Sequence, residues 1–211
     1  DAHAEAAVRH ATEAAQKQIL AASKAPVVAS HETIRAVSGT GLSDEVLKTM
    51  ASKGGLVGIH GSAAVVSKRF RKWMTEHTAE VKTNQESIPN MLSYQPGFAR
   101  SAGDHGEYIE RFDKEFRAVW AQRPNWKEIP ELVPLIPTAA EWAEHVDYVI
   151  KLAGADHVAI GLDLAGGRSS VPKDPSGYGD ILAALNRITT PANVKKITGE
   201  NWMRVFETAK A

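Results

Sequence analysis

Residues 25–31 read Ala25-Pro26-Val27-Val28-Ala29-Ser30-His31, a short apolar run opened by a proline and closed by a histidine. Val27-Val28-Ala29 shows no period-2 alternation, which is the pattern of a strand buried on both faces, and Pro26 is compatible with a strand only at its first position. His31 then falls at the strand's carboxyl end. In parallel α/β sheets and barrels that end binds ligands and supplies catalytic groups, so His31 is a site candidate; the alternative is a histidine satisfied by a neighbouring carbonyl.

The flanking segments supply the repeat that such a strand needs. Before it, Thr12 caps a helix with Glu13 in its first turn, ending near Lys24. After it, Ser43 caps a second helix with Asp44 and Glu45 in its first turn and Val46, Leu47 and Met50 on one face, and Gly54-Gly55 ends it. Leu56-Val57-Gly58-Ile59 is the next buried strand and finishes on His60. Two helix–strand units in succession predict a parallel sheet, whose right-handed crossovers bring both histidines to one end. A third unit follows later. Thr138-Ala139-Ala140-Glu141 is a capping box that opens a helix through Leu152, and His157-Val158-Ala159-Ile160-Gly161-Leu162-Asp163 is a strand ending on a carboxylate. Further helices are expected near 178–186, 191–197 and 201–209, the middle one with Thr190 as cap and Pro191 at its first position. Residues 1–10 fit a helix by propensity or a short strand ending at His10.

Residues 61–137 interrupt this rhythm. Lys68, Arg69, Phe70, Arg71, Lys72 and Trp73 read as a surface helix, residues 83–106 as a long polar loop, residues 107–122 as a helix with one aromatic stripe, and Pro124 to Pro137 as an extended linker.

Composition narrows the function. Lys+Arg and Asp+Glu are both 25, so no net field draws the chain to nucleic acid or an anionic membrane, and no apolar run approaches membrane-spanning length. With no cysteine, any metal site must be built from His, Asp and Glu, and the composition suits cytoplasm and periplasm equally. The strand ends offer His31, His60 and Asp163, with His10 as a fourth if the opening segment is a strand. Imidazoles and carboxylates on rigid strand ends suit zinc, although spacing alone is a weak signal and a histidine taken singly is more often structural or incidental than a ligand.

Several of these segments together resemble the carboxyl-terminal half of the membrane (renal) dipeptidase family of zinc peptidases. They are residues 25–31, Leu42-Ser43-Asp44-Glu45-Val46-Leu47, residues 54–59, His145-Val146-Asp147-Tyr148-Val149-Ile150, residues 156–163 and Gly199-Glu200-Asn201-Trp202-Met203-Arg204-Val205-Phe206. Their order is that of the family, and they span nearly the whole chain outside residues 61–137. The resemblance implies a (β/α)8 barrel of the metal-dependent hydrolase type, of which residues 1–211 are the carboxyl-terminal part with an inserted segment at 61–137. It implies two zinc ions in the complete enzyme and a metal-activated water that cleaves dipeptides or related small amides. His31 matches the metal ligand of the family's Ser-His motif, and His10 matches the preceding ligand by its separation from His31. Asp163 matches the aspartate that handles the water's proton. His60, where the family more often carries an amide or small residue, is expected to face the same pocket as a substrate-side or outer-shell group rather than a first ligand, the alternative being a solvated strand-end histidine.

The departures are specific. Val8-Arg9 stands where the family has Asp-x-Ser, Ala165 replaces a second aspartate, and the short turn Ser38-Gly39-Thr40-Gly41 lacks the arginine expected to hold a substrate carboxylate. That last difference keeps a related amidohydrolase chemistry, on lactones or acylated amino acids, among the readings, beside a non-catalytic half-barrel that works only within an assembly. The family's His-x-Asp pair and bridging glutamate have no counterpart in these 211 residues. A barrel of this type needs about 250 residues, so the chain is expected to pair with a complementary amino-terminal half or with its own copies, and to lack dipeptidase activity alone.

Overall fold

Three parallel strands, β1 (Val28–Glu32), β2 (Leu56–Ile59) and β3 (Val158–Ile160), lie in the order β1-β2-β3 in the computed structural model, which describes residues 11–77, 133–163, 170–172 and 175–210. Each strand is preceded by a helix whose start is written in the sequence. Thr12 caps α1 (Glu13–Ala22) by accepting from Ala15 N, and Ser43 caps α3 (Asp44–Ser52) by accepting from Val46 N; a single turn, α2 (Arg35–Ser38), lies between them. The capping box of Thr138 and Glu141 opens the helix that feeds β3 (Ala139–Ala153). Between β2 and that helix stand α4 (Ala63–Val66) and α5 (Lys68–Glu76), so the helix over Ala139–Ala153 is α6. After β3 come α7 (Tyr178–Ile188), α8 (Pro191–Lys195) and α9 (Asn201–Lys210).

Two details depart from the sequence expectations. The third strand pairs only over Val158–Ile160, because residues 155–157 form a 3-10 turn and Gly161 to Asp163 leave the ladder. The last two helices are joined by a π-helical stretch, Lys196–Glu200, rather than separated by a loop. The opening segment with His10, the polar loop, the aromatic helix expected at 107–122 and Ala165 lie outside the described residues.

The faces of the sheet differ in what covers them. Val27, Ala29, Val57, Ile59 and Val158 join Leu20, Met50, Trp142, Val146, Val149 and Leu185 in the main core, so α1, α3, α6 and α7 pack on one face. The opposite face is thin: Leu56 and Ala159 meet Val205 of α9, with Val28 and Trp202 against them. β2 is buried at every position, whereas in β1 Val28 is half-buried and Ser30 is exposed, since β1 has a described neighbour on one side only. No helix among the described residues is long and apolar enough to cross a membrane. The chain is therefore a mixed α/β fold on a parallel sheet.

Candidate functional site at the strand ends

The register between β1 and β2 explains how His31 reaches the site. Ala29 pairs with Val57 and Glu32 with Ile59, so three steps in β1 oppose two in β2. One residue is extra. In a regular strand neighbouring side chains point to opposite faces, but across this bulge Ser30 and His31 share one face, opposite the face of Ala29 and Glu32. Ser30 Oγ and His31 Nδ1 are accordingly 2.7 Å apart and hydrogen-bonded. Space for the bulge comes from Gly58 in β2 and Gly161 just past the end of β3: a Cβ on Gly58 would stand 2.3 Å from the Ser30 carbonyl oxygen, and one on Gly161 would stand 2.2 Å from it.

By the same alternation, Leu56 of β2 and Ala159 of β3 project to the thin face, and His60 and Asp163 follow just past the carboxyl ends of those strands. The three chemically active side chains meet there. His31 Nε2 is 3.7 Å from Asp163 Oδ2, His60 Nε2 is 3.8 Å from the same oxygen, and the two imidazoles stand edge-to-face with centroids 5.5 Å apart. His60 is buried, while His31 and Asp163 are partly open to solvent. Asp163 has φ +50°, a left-handed backbone conformation that costs a non-glycine residue and that aspartate tolerates better than most. Such strain at the mouth of a site is held in place by the surrounding structure.

The two imidazoles are bonded differently. Ser62 N–H donates to His60 Nδ1 at 3.1 Å, which makes Nδ1 an acceptor and leaves the neutral ring's proton on Nε2. The Nδ1 partner of His31 is a hydroxyl, which can accept the Nδ1 proton and free the Nε2 lone pair. His31 thus meets the requirement for a zinc ligand, and its 3.7 Å separation from Asp163 Oδ2 is near the roughly 3.4 Å between two ligand atoms on one tetrahedral zinc. Among the described residues no three or more His, Asp or Glu form a ready-made cage for an ion. Among the described residues the corner brings together two imidazoles and one carboxylate.

His145 has a structural part. His145 is fully buried, accepts from Ile34 N–H at Nδ1 and donates from Nε2 to the Val66 carbonyl, and burial lowers its pKa to about 4. It therefore ties the segment after β1 to α4. Ser30, Gly58, Gly161 and the Ser62 amide were missed by sequence reasoning; the signal for the glycines is that both stand on the strand alternation that ends in His60 and Asp163.

The family model of membrane dipeptidases, peptidase family M19, matches residues 6–211. Among solved structures, the chain is similar to the probable dipeptidase PvdM of Pseudomonas aeruginosa, at 22% identity and TM-score 0.58, covering 94% of this chain and 48% of that one. It is also similar to a metallo peptidase of Rhodobacter sphaeroides, solved with a phosphinate mimic of the dipeptide L-Ala-D-Ala, at 17% identity and TM-score 0.60, covering 96% and 41%. An amidohydrolase of P. aeruginosa matches at 18% identity and TM-score 0.53, covering 94% and 50%. The chain thus spans about half the length of these solved structures or somewhat less. No curated protein matches it.

Proposed function

The chain belongs to the membrane dipeptidase family, and from that membership we propose that it is the carboxyl-terminal part of a zinc-dependent hydrolase cleaving dipeptides or related small amides. In this reading residues 1–211 contribute to one (β/α)8 barrel with an insertion at 61–137, and a complementary amino-terminal half or further copies of the chain complete it. The observation that carries the reading is the convergence of His31 Nε2 and Asp163 Oδ2, 3.7 Å apart, at the carboxyl ends of parallel strands.

His31 and His10 would hold zinc, of which the complete enzyme would take two ions. Zinc, when bound, acidifies a water and polarises the scissile carbonyl. The remaining work falls to the chain's own groups. Ser30 accepts the Nδ1 proton of His31 and so fixes the ring with Nε2 toward the ion. Asp163 removes a proton from the attacking water as its oxygen bonds to the carbonyl carbon, and returns that proton to the amine when the C–N bond breaks. His60 lines the substrate side.

A second substrate class has support from the turn after β1. Arg71 gives its guanidinium to the Ser38 carbonyl, the Thr40 hydroxyl and the Ala64 and Val65 carbonyls, and Arg35 bonds Glu13 and the Gly41 carbonyl. Both arginines at this turn are engaged within the protein rather than offered to a substrate carboxylate. Amides or lactones without a free carboxylate therefore remain candidate substrates. The test is zinc content and turnover of the full chain in its native assembly. Bound zinc and dipeptide cleavage, both lost in His31→Ala, are expected; an active assembly whose zinc survives His31→Ala would refute the reading.

A further inference from the structure

We propose that a groove between α6 and α7, separate from the strand-end corner, binds short zwitterionic peptides, with the ligand's ammonium at Asp180 and its carboxylate at Arg187. The groove encloses about 590 Å³, within the range of roughly 300–1,000 Å³ of small-molecule sites. Its floor is apolar, since Pro137, Val171 and Pro172 line it and are buried. Its wall is one face of α7, carrying Asp180, Ala183, Ala184 and Arg187. Residues at these spacings share a helical stripe. The two alanines at the middle of the stripe leave the space, and charges of opposite sign stand at its ends.

Charge complementarity selects the ligand. Asp180 and Arg187 are exposed, and neither is bonded to another described residue. Two turns separate them, about 10.5 Å along the axis, so they do not pair as residues three or four apart do. A ligand that satisfies both needs a cation at one end and an anion at the other. An extended dipeptide spans about 7 Å between its ends, and charge-assisted hydrogen bonds of about 2.8 Å at each end bring the span to about 12–13 Å, within the swing of the two side chains. An inorganic or nucleotide phosphate is repelled by Asp180, and a purely cationic ligand by Arg187. The groove is fastened to the segment that follows His60: Val171 N–H donates to the Gly61 carbonyl, and Ser170 bridges Ser62. A peptide held there lies beside the corner where hydrolysis is proposed, but its binding does not depend on that reading.

Titration of the full chain with glycylglycine, in the presence of a metal chelator, decides this. The backbone 15N–1H resonances of Val171, Ala183 and Ala184 should shift saturably, at millimolar concentrations because both charges are exposed. N-acetylglycylglycine, which lacks the ammonium, and glycylglycinamide, which lacks the carboxylate, should each bind about 2- to 5-fold more weakly. Asp180→Asn should erase the disadvantage of the acetylated peptide alone, and Arg187→Gln that of the amide alone. Ala183→Leu, an exposed substitution that fills the middle of the groove and keeps both charges, should abolish the shifts. An acid in the first turn of α7 and a base in its last also complement the helix dipole. If that were their whole role, glycylglycine would cause no saturable shift or the three peptides would bind alike, and either result would overturn the proposal. Shifts confined to His31, His60 and Asp163 would overturn it too. Because binding is read without metal or turnover, an assembly that fails to cleave amides would refute the hydrolase reading alone.

Discussion

Gly58 and Gly161 determine where His31 points, because the Ser30 carbonyl sits where their Cβ atoms would be. Gly58→Ala should push that carbonyl aside, destabilise the protein by about 1–3 kcal/mol and weaken zinc binding by displacing His31. Thermal unfolding combined with a zinc titration checks this, and unchanged zinc affinity would detach the bulge from the site. At Asp163 the left-handed backbone and the carboxylate can be separated. Asp163→Asn keeps a residue type that tolerates that conformation and removes the proton acceptor that the proposed hydrolysis requires, so it should lower kcat by roughly 10²- to 10⁴-fold with unfolding unchanged. His145 adds a pH dependence. Its pKa falls from the ordinary 6.5 to about 4 in the folded protein, so between those values the unfolded chain binds a proton that the folded chain refuses. Stability is then full above about pH 6.5 and falls as pH drops toward 4, by on the order of 3 kcal/mol. Urea unfolding across that window should show the slope, and His145→Gln should flatten it.

At the scale of elements, the helices were legible because their starts are local chemistry. Thr12, Ser43, Thr138 and Thr190 each accept from the backbone amide that a cap requires, at the positions the sequence marks. The strands were legible as apolar runs, but their ends were not. The extra residue at Ser30–His31 is a property of pairing with β2, and no feature within residues 25–31 reveals it. The end of the chain shows the same limit. Gly199 to Phe206 carries the resemblance, yet its work is structural: Asn201 donates to the Ala155 and Val158 carbonyls, Trp202 to Ile160, and Arg204 to Gly54 and Asp156. α9 therefore satisfies the carbonyls of β3 that do not face β2 and fastens the turns leading into β2 and β3. Asn201→Ala leaves two carbonyls without that donor and should cost about 1–3 kcal/mol in urea unfolding, with the described site geometry intact. A neutral result would show that other groups or water take over both bonds.

At the scale of the molecule, the parallel sheet and the gathering of His31, His60 and Asp163 at one corner follow from three helix–strand units with polar residues at the strand ends. The distinction between the two histidines does not follow from sequence pattern, since it depends on which atom approaches each Nδ1. Half the length of the related structures is spanned by this chain, and the thin face of the sheet, with Leu56, Ala159 and Val205, carries far less packing than the helical face. The most direct measurement is anomalous diffraction at the zinc edge from crystals of the full chain in its native assembly. The account predicts a zinc ion about 2.0–2.1 Å from His31 Nε2, beside Asp163, with His60 outside its coordination. Zinc bound to His60, or an active assembly whose zinc lies away from His31, would contradict it.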